Sequence, residues 1–375
     1  MSTLQSARMQ AHFESLTDPR TRDVMYPLIN VVVIAICAVI SGADDFVAIA
    51  KFGNKKKDWL GRFLDLTNGI PSHDRFNAIF AAIKPAEFEA CLLSWITALH
   101  DISDGQIIAI DGKTLRRSFD AADNKAAIHM VSAWATANHI SLGQVVVDAK
   151  SNEITAIPKL LQAIEISGAL VTIDAMGCQV EIANQIVAGG ADYCLAVKAN
   201  QPTLYQGIID FFDDHLDDDF ARTPVRRHTT HEKGHGREED RFYFTCPIPD
   251  DLPDAARWKG LKAIGIVISH TKREGKDCGD VRYYMLSRYI AGSRFAKAVR
   301  DHWSIENRLH WQLDVTFQED QCRIRHGHAD ANFSILRRIA LSLLKNETEL
   351  KLGIKNKRLT AAWDEDYLLQ VLLGK

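Results

Sequence analysis

Residues 107–113, Ile-Ile-Ala-Ile-Asp-Gly-Lys, decide how this chain folds. A short, fully apolar run predicts a central strand that is covered on both faces. Asp111 stands at the end of that strand, and Gly112 lets the backbone turn directly after it. Residues 169–177, Ala-Leu-Val-Thr-Ile-Asp-Ala-Met-Gly, repeat the design with Asp174 at the strand end. Two such strands can therefore place two carboxylates side by side.

Carboxylates held this close repel each other unless one is protonated or a hard cation lies between them. Either aspartate alone is better explained as a cap for the turn or helix that follows its strand. A third acid, Glu306, lies on a predicted buried helix, and His302 and His310 are spaced four residues from it on the same face. That helix could hold a salt-bridged core network instead. Taken together, the three acids favour a site for Mg²⁺ or Mn²⁺, with two ions.

The composition is that of a globular protein. Of 375 residues, 46% are hydrophobic and 25% are charged, so the chain can form one large domain or two smaller ones. The net charge of -3 means that any nucleic-acid surface must be local. The cysteines form no C-x-x-C pair, which favours a reducing, cytoplasmic compartment without disulfides or a thiolate zinc site. The apolar run at 31–40 is about half the length of a membrane span, so it predicts a buried helix and no membrane partner.

The predicted fold class is α/β. Residues 1–100 predict an N-terminal helical domain, which could be a helix-turn-helix DNA-binding module or a plain packing domain. Residues 101–350 predict a mixed sheet flanked by helices on both faces, with a hairpin as its antiparallel pair. Short alternating strands and basic turns at 215–290 predict a β-rich insertion that packs separately from this sheet. Residues 351–375 are interpreted as a C-terminal tail.

Several enzyme classes lose their main support because their motifs are missing. The sequence contains no G-x-S-x-G, no G-x-x-x-x-G-K-[ST] and no G-x-G-x-x-G. What it does contain is a set of long stretches that resemble the DDE transposases of bacterial insertion sequences, specifically the group that includes the H-repeat-associated proteins. The stretches are found at 26–28, 41–46, 69–74, 109–118, 150–158, 172–179, 196–201 and 302–314.

The resemblance implies an RNase H-like fold with Asp111, Asp174 and Glu306 as a catalytic, metal-binding triad. It implies DNA transposition and recombination: metal-dependent phosphodiester cleavage and strand transfer at the ends of a transposable element. The implied partner is double-stranded DNA, bound by a homodimer at the bacterial nucleoid. Two alternatives stay open: a vestigial, non-catalytic DNA-binding protein of the same fold, and a structure-selective nuclease.

One departure from the family pattern concerns the residues around the glutamate. Related transposases carry Tyr, Arg and Lys in the spacing Y-x-x-R-x-x-x-E-x-x-x-x-x-x-K, where this chain has Val299, His302 and Leu313. Trp303 and Trp311 are interpreted as core residues. The predicted contacts to DNA phosphate are Lys113, Arg116, Lys198, Arg300, His302, His310, Arg323 and Arg325.

Overall fold

The computed structural model describes residues 11–21, 24–99, 105–115, 129–147, 153–234, 236–273 and 276–374. Its helices are α1 (Leu28–Ile40), α2 (Phe46–Lys55), α3 (Lys57–Leu60), α4 (His73–Ala82), α5 (Pro85–Leu99), α6 (Glu153–Ala163), α7 (Val180–Ala188), α8 (Pro202–Asp217), α9 (Gly292–His302), α10 (Trp311–Val315), α11 (Ala329–Asn346), α12 (Ile354–Trp363) and α13 (Glu365–Leu372). Its strands are β1 (Ile107–Thr114), β2 (His129–Ala135), β3 (Ile140–Val147), β4 (Leu170–Ile173), β5 (Asp192–Val197), β6 (Arg226–Gly234), β7 (Arg237–Pro247), β8 (Ala263–Arg273) and β9 (Lys276–Leu286).

Within these ranges the strands form one nine-stranded sheet in the order β3-β2-β1-β4-β5-β9-β8-β7-β6. β4 pairs in parallel with both β1 and β5, and the remaining pairs are antiparallel. The predicted mixed sheet flanked by helices is therefore confirmed, as is the β2–β3 hairpin.

The expectation that residues 215–290 pack separately from this sheet is wrong. β9 pairs directly with β5, with Cys194 opposite Leu286 and Val197 opposite Tyr283, so the later strands extend the main sheet. The physical reason is that β5 would otherwise expose a row of unpaired backbone groups along its edge. The end of β9 is buried from Tyr283 to Leu286, an uninterrupted run that is typical of a strand covered on both faces.

Each face of the sheet has its own apolar cover. On one face, Ile107 of β1 and Leu170 of β4 belong to a cluster that includes Phe295 and Val299 of α9. Side chains alternate along a strand, so Ile108 points to the opposite face. There it joins the larger core that contains α6 and α7. The residues that follow Ile107 at every second position, including 111 and 113, therefore lie on the α9 face.

Two long helices join the N-terminal and C-terminal parts of the chain. All of α1 from Asn30 to Ile40 is buried, as predicted for the apolar run, and it packs against α11. Residues 354–372, which were expected to belong to a tail, instead form α12 and α13, and both helices pack against α1 and α11. Leu368 and Val371 enter the main core, which explains why this segment is helical.

Two local predictions have clear outcomes. The Ser72 side chain accepts a hydrogen bond from the Arg75 N–H, as expected for the N-cap of α4. The seven cysteines are all free. Within the described ranges, the helices are too short or too polar to cross a membrane.

We predict that Leu341→Ala in α11 lowers the free energy of unfolding by about 2–5 kcal/mol, because it leaves a cavity around a side chain that is 0% exposed. The matched control is Leu359→Ala in α12, where the side chain is 40% exposed and the change should be within about 0.5 kcal/mol. Urea unfolding followed by circular dichroism measures both. Equal effects would contradict the placement of α11 in the core.

Candidate active site

Asp111 and Asp174 lie side by side in the middle of the sheet, where β4 ends. β1 and β4 are parallel neighbours, and Ile110 is the register partner of Ile173. Asp111 and Asp174 directly follow this pair, on strands about 4.8 Å apart, and both point to the α9 face. β1 continues to Thr114 in its pairing with β2, so the strand end predicted at Asp111 and the turn predicted at Gly112 are wrong, whereas Asp174 does follow the end of β4. The parallel pairing thus creates the two-carboxylate arrangement that the sequence predicts.

The Asp111 carboxyl stands in an unfavourable environment for a negative charge. Burial is the main cause that raises its pKa to about 7, and nearby Asp174, Glu306 and Glu153 raise it further. The Gly112 N–H opposes this effect by hydrogen bonding to the carboxylate. Asp174 and Glu306 are therefore close enough to Asp111 to affect its charge.

Asp174 has a second role in its own turn. One carboxylate oxygen, Oδ1, accepts hydrogen bonds from the N–H groups of Met176 at 3.1 Å and Gly177 at 3.3 Å. The capping explanation is therefore correct for Asp174, and it is compatible with a role in the site because these bonds fix the carboxylate in place.

Glu306 lies on a π-helical turn, Ile305–His310, between α9 and α10. The expected regular helix would have put Glu306, His302 and His310 on one buried face. In a π turn the backbone hydrogen bonds join residues five apart, so side chains four residues apart no longer lie on one face. The Glu306 side chain is exposed. Turns of this kind occur frequently at functional sites.

The two histidines flank the carboxylates as neutral side chains. The His302 Nδ1 lies 3.2 Å from the Thr172 Oγ1, and burial lowers the pKa of His302 to about 4. The His310 Nδ1 lies 3.5 Å from the Asp111 Oδ2. Burial, with Arg338 and Lys113, lowers the pKa of His310 to about 3. Neutral, largely buried rings are poor contacts for DNA phosphate, so neither histidine belongs to the proposed DNA surface.

Lys113 is also unsuited to the DNA contact predicted for it. Its side chain is 8% exposed, and its ammonium group forms ion pairs with Asp314 at 2.5 Å and Glu319 at 2.7 Å. Burial alone would raise the pKa of Glu319. The positive charges of Lys113 and two arginines instead hold this pKa at about 2. The lysine is therefore engaged inside the protein.

The other predicted DNA contacts differ in how accessible they are. Lys198 at the end of β5 and Arg323 are exposed. Arg323 and Arg325 line a cavity of about 500 Å³ that also borders the start of α4. Arg300 is exposed but holds Glu232 of β6 through two 2.8 Å hydrogen bonds. Arg116 lies outside the described residues.

Sequence reasoning missed several residues around the site. Trp303 and Trp311, interpreted as core, are 37% and 53% exposed, and Arg282 lies over the Trp303 ring. Glu153, which hydrogen-bonds His129 at 2.6 Å, packs so closely on Gly112 that a side chain there would collide with it. The only sequence signal for Glu153 was its place within the 150–158 stretch.

The chemical type of the side chains supports a metal site, but the described residues do not form a complete set of coordinating ligands. Carboxylate oxygens are the ligands that Mg²⁺ and Mn²⁺ prefer, and three repelling carboxylates are what such a cation would stabilise. In the described part of the chain, however, no group of three or more His, Cys, Asp or Glu side chains is arranged to hold an ion.

Comparison with known proteins identifies two domains in this chain and several relatives of it. The Transposase DDE domain matches residues 102–343, and a domain described as DDE_Tnp_1-associated matches residues 10–96. The H repeat-associated protein YhhI of Escherichia coli (strain K12) is 40% identical over 98% of both chains, and protein YbfL of the same strain is also 40% identical over 98% of both. YncI of Escherichia coli O157:H7 is 41% identical over 93% of this chain and 90% of its own. YhhI and YncI are both named as transposases.

We predict that Asp111→Asn stabilises the protein at pH 8 in buffer without divalent ions. The folded-state pKa of about 7 lies above the ordinary value of 3.8, so this carboxyl lowers stability as pH rises from about 4 to 7. The expected gain is a few kcal/mol at most, because one pKa unit corresponds to about 1.4 kcal/mol. It should shrink as pH falls and vanish near pH 4.

Denaturant unfolding between pH 4 and 8 tests this expectation. The matched control is Asp74→Asn, at a side chain that is 86% exposed, which should change the free energy of unfolding by no more than about 0.5 kcal/mol. An Asp111→Asn variant that is less stable than the natural chain at pH 8 would contradict the unfavourable environment described for this carboxyl.

Proposed function

Because the chain belongs to the Transposase DDE domain family, we propose that it is a DNA transposase that cuts DNA at the ends of an insertion sequence and joins those ends to a target. The observation that carries this proposal is the pair of aspartates that directly follow the register pair Ile110–Ile173 of β1 and β4, with Glu306 close enough to raise the pKa of Asp111.

Asp111, Asp174 and Glu306 would hold two Mg²⁺ or Mn²⁺ ions. When bound, such ions activate a water or a 3′-hydroxyl and stabilise the leaving oxygen of a phosphodiester. The protein supplies the rest. Parallel strands hold the two aspartates rigidly, the turn at Met176 and Gly177 orients Asp174, and the neutral rings of His302 and His310 exclude water beside them.

The sheet and its flanking helices are consistent with an RNase H-like core, which we include in the proposal. The proposed partner is double-stranded DNA, held by a homodimer. Lys198 and Arg323 are its first candidate contacts to phosphate, because both are exposed cations. The exposed ring of Trp303 adds aromatic surface to a pocket that Asp174 also lines. The other function considered is a nuclease of the same fold, which would hydrolyse DNA and never join it.

We predict that Asp111→Asn, Asp174→Asn and Glu306→Gln each reduce DNA cleavage by about 1,000-fold or more, because each removes a charged ligand from ions that supply several kcal/mol of transition-state stabilisation. DNA affinity should stay nearly unchanged. The measurement is cleavage and joining of labelled element-end DNA with Mg²⁺ or Mn²⁺, and with a chelator. Asp74→Asn is the matched control and should cut normally.

The outcomes separate the candidate functions. Cleavage that continues after chelation, or normal cleavage by the Asp111 variant, would overturn the metal mechanism. Cleavage without joining would favour the nuclease. A natural chain that binds element-end DNA and cuts it with neither metal would favour the vestigial DNA-binding protein.

We predict that Lys198→Ala and Arg323→Ala weaken DNA binding and each reduce the slope of log affinity against log salt by about 1, because each removes one contact to phosphate. The control is Lys355→Ala at an exposed position of α12. Fluorescence anisotropy at several salt concentrations measures the slopes. A slope that stays the same in both variants would remove these residues from the DNA surface.

A further inference from the structure

We propose that Lys113 is a positioning residue that fixes where Glu306 stands relative to Asp111. The inference rests on the function proposed above, because it assigns Lys113 a role in assembling the proposed metal site. It gives this lysine a role inside the protein in place of a contact to DNA.

The strand geometry puts Lys113 beside the site. Asp111 and Lys113 are two residues apart on β1, so their side chains point to the same face of the sheet. From there the Lys113 Nζ donates hydrogen bonds to the Asp314 Oδ1 at 2.5 Å and to the Glu319 Oε2 at 2.7 Å. Both acceptors belong to the segment that directly follows the π turn carrying Glu306.

The ion pair with Glu319 is enclosed. The Lys113 side chain is 8% exposed and the Glu319 side chain is 0% exposed. The other oxygen of Glu319 accepts a hydrogen bond from the Ser334 Oγ of α11 at 2.7 Å. Buried ion pairs often add little net stability, and breaking one is strongly destabilising. A lysine held in this way restricts how the two segments can be arranged.

A further contact lies at the other end of the same segment, where the His310 Nδ1 is 3.5 Å from the Asp111 Oδ2. β1 is thus linked to the segment from 310 to 319 through three side chains of that segment, His310, Asp314 and Glu319. Glu306 is one turn before His310, and its side chain is exposed. Its position relative to Asp111 therefore depends on where this attachment holds the turn.

The test compares two double variants that each remove one buried ion pair. Lys113→Met with Glu319→Gln removes the proposed attachment and keeps an acceptor for Ser334. Lys357→Met with Glu347→Gln is the matched control: Lys357 and Glu347 are 7% and 0% exposed, 3.0 Å apart, and Glu347 likewise accepts from the Tyr367 hydroxyl. Circular dichroism establishes that both fold.

The readouts are the Mn²⁺ concentration for half-maximal DNA cleavage and direct Mn²⁺ binding followed by electron paramagnetic resonance. We expect the Lys113 variant to need about 10–100-fold more Mn²⁺ and to bind it correspondingly more weakly, as when a residue that supports metal ligands is lost. The Lys357 variant should match the natural chain in both.

Three results would overturn the inference: a folded Lys113 variant with an unchanged Mn²⁺ requirement, equal changes in both variants, or no Mn²⁺ binding by the natural chain. A natural chain that binds Mn²⁺ but cuts no DNA would refute the proposed function alone. Weaker Mn²⁺ binding by the Lys113 variant would then still support the positioning role.

Discussion

The parallel pairing of β1 with β4 is the constraint on which the site depends. With Ile110 opposite Ile173, the strands must deliver Asp111 and Asp174 to the same level of the same face. A shift by one residue would turn one carboxylate to the opposite face. Close packing of the buried residues before each aspartate against the clusters on both faces of the sheet opposes that shift. The hydrophobic core therefore sets the geometry of two charged groups.

The same core makes those charges unfavourable. Folding buries Asp111 next to other carboxylates. In the described part of the chain its ion-pair partner is His310 at 3.5 Å, which is farther than the 2.5 and 2.7 Å at which Asp314 and Glu319 pair with Lys113. The contrast between two neighbours on one strand is instructive. Lys113 is ion-paired inside the protein, whereas Asp111 is left with a raised pKa. Strongly perturbed pKa values of this kind are typical of functional sites.

Much of this arrangement could be predicted from local sequence. Apolar runs that end in Asp111 and Asp174 identify both strands, and Ser72 identifies the start of α4. Pairing between distant segments could not be predicted, because Cys194 opposite Leu286 has no local signature. Lys113 after Asp-Gly resembles a surface residue until the segment containing Glu319 covers it. The π turn changes the spacing around Glu306 without any change in the pattern of apolar residues. The division at residue 100 stays a prediction.

The order of strands in the sheet also has a consequence for how the protein is made. A ribosome releases β5 well before β9, its neighbour in the finished sheet, so β5 waits with one open edge while β6 to β8 are synthesised. Open strand edges invite misassembly in unfinished chains. β6 to β9 form successive hairpins, whose local contacts form quickly, and this shortens the wait. The segment with Glu306 emerges later still. A nascent chain therefore contains Asp111 and Asp174 before Glu306 has been synthesised, so the three acids can come together only when synthesis is nearly complete.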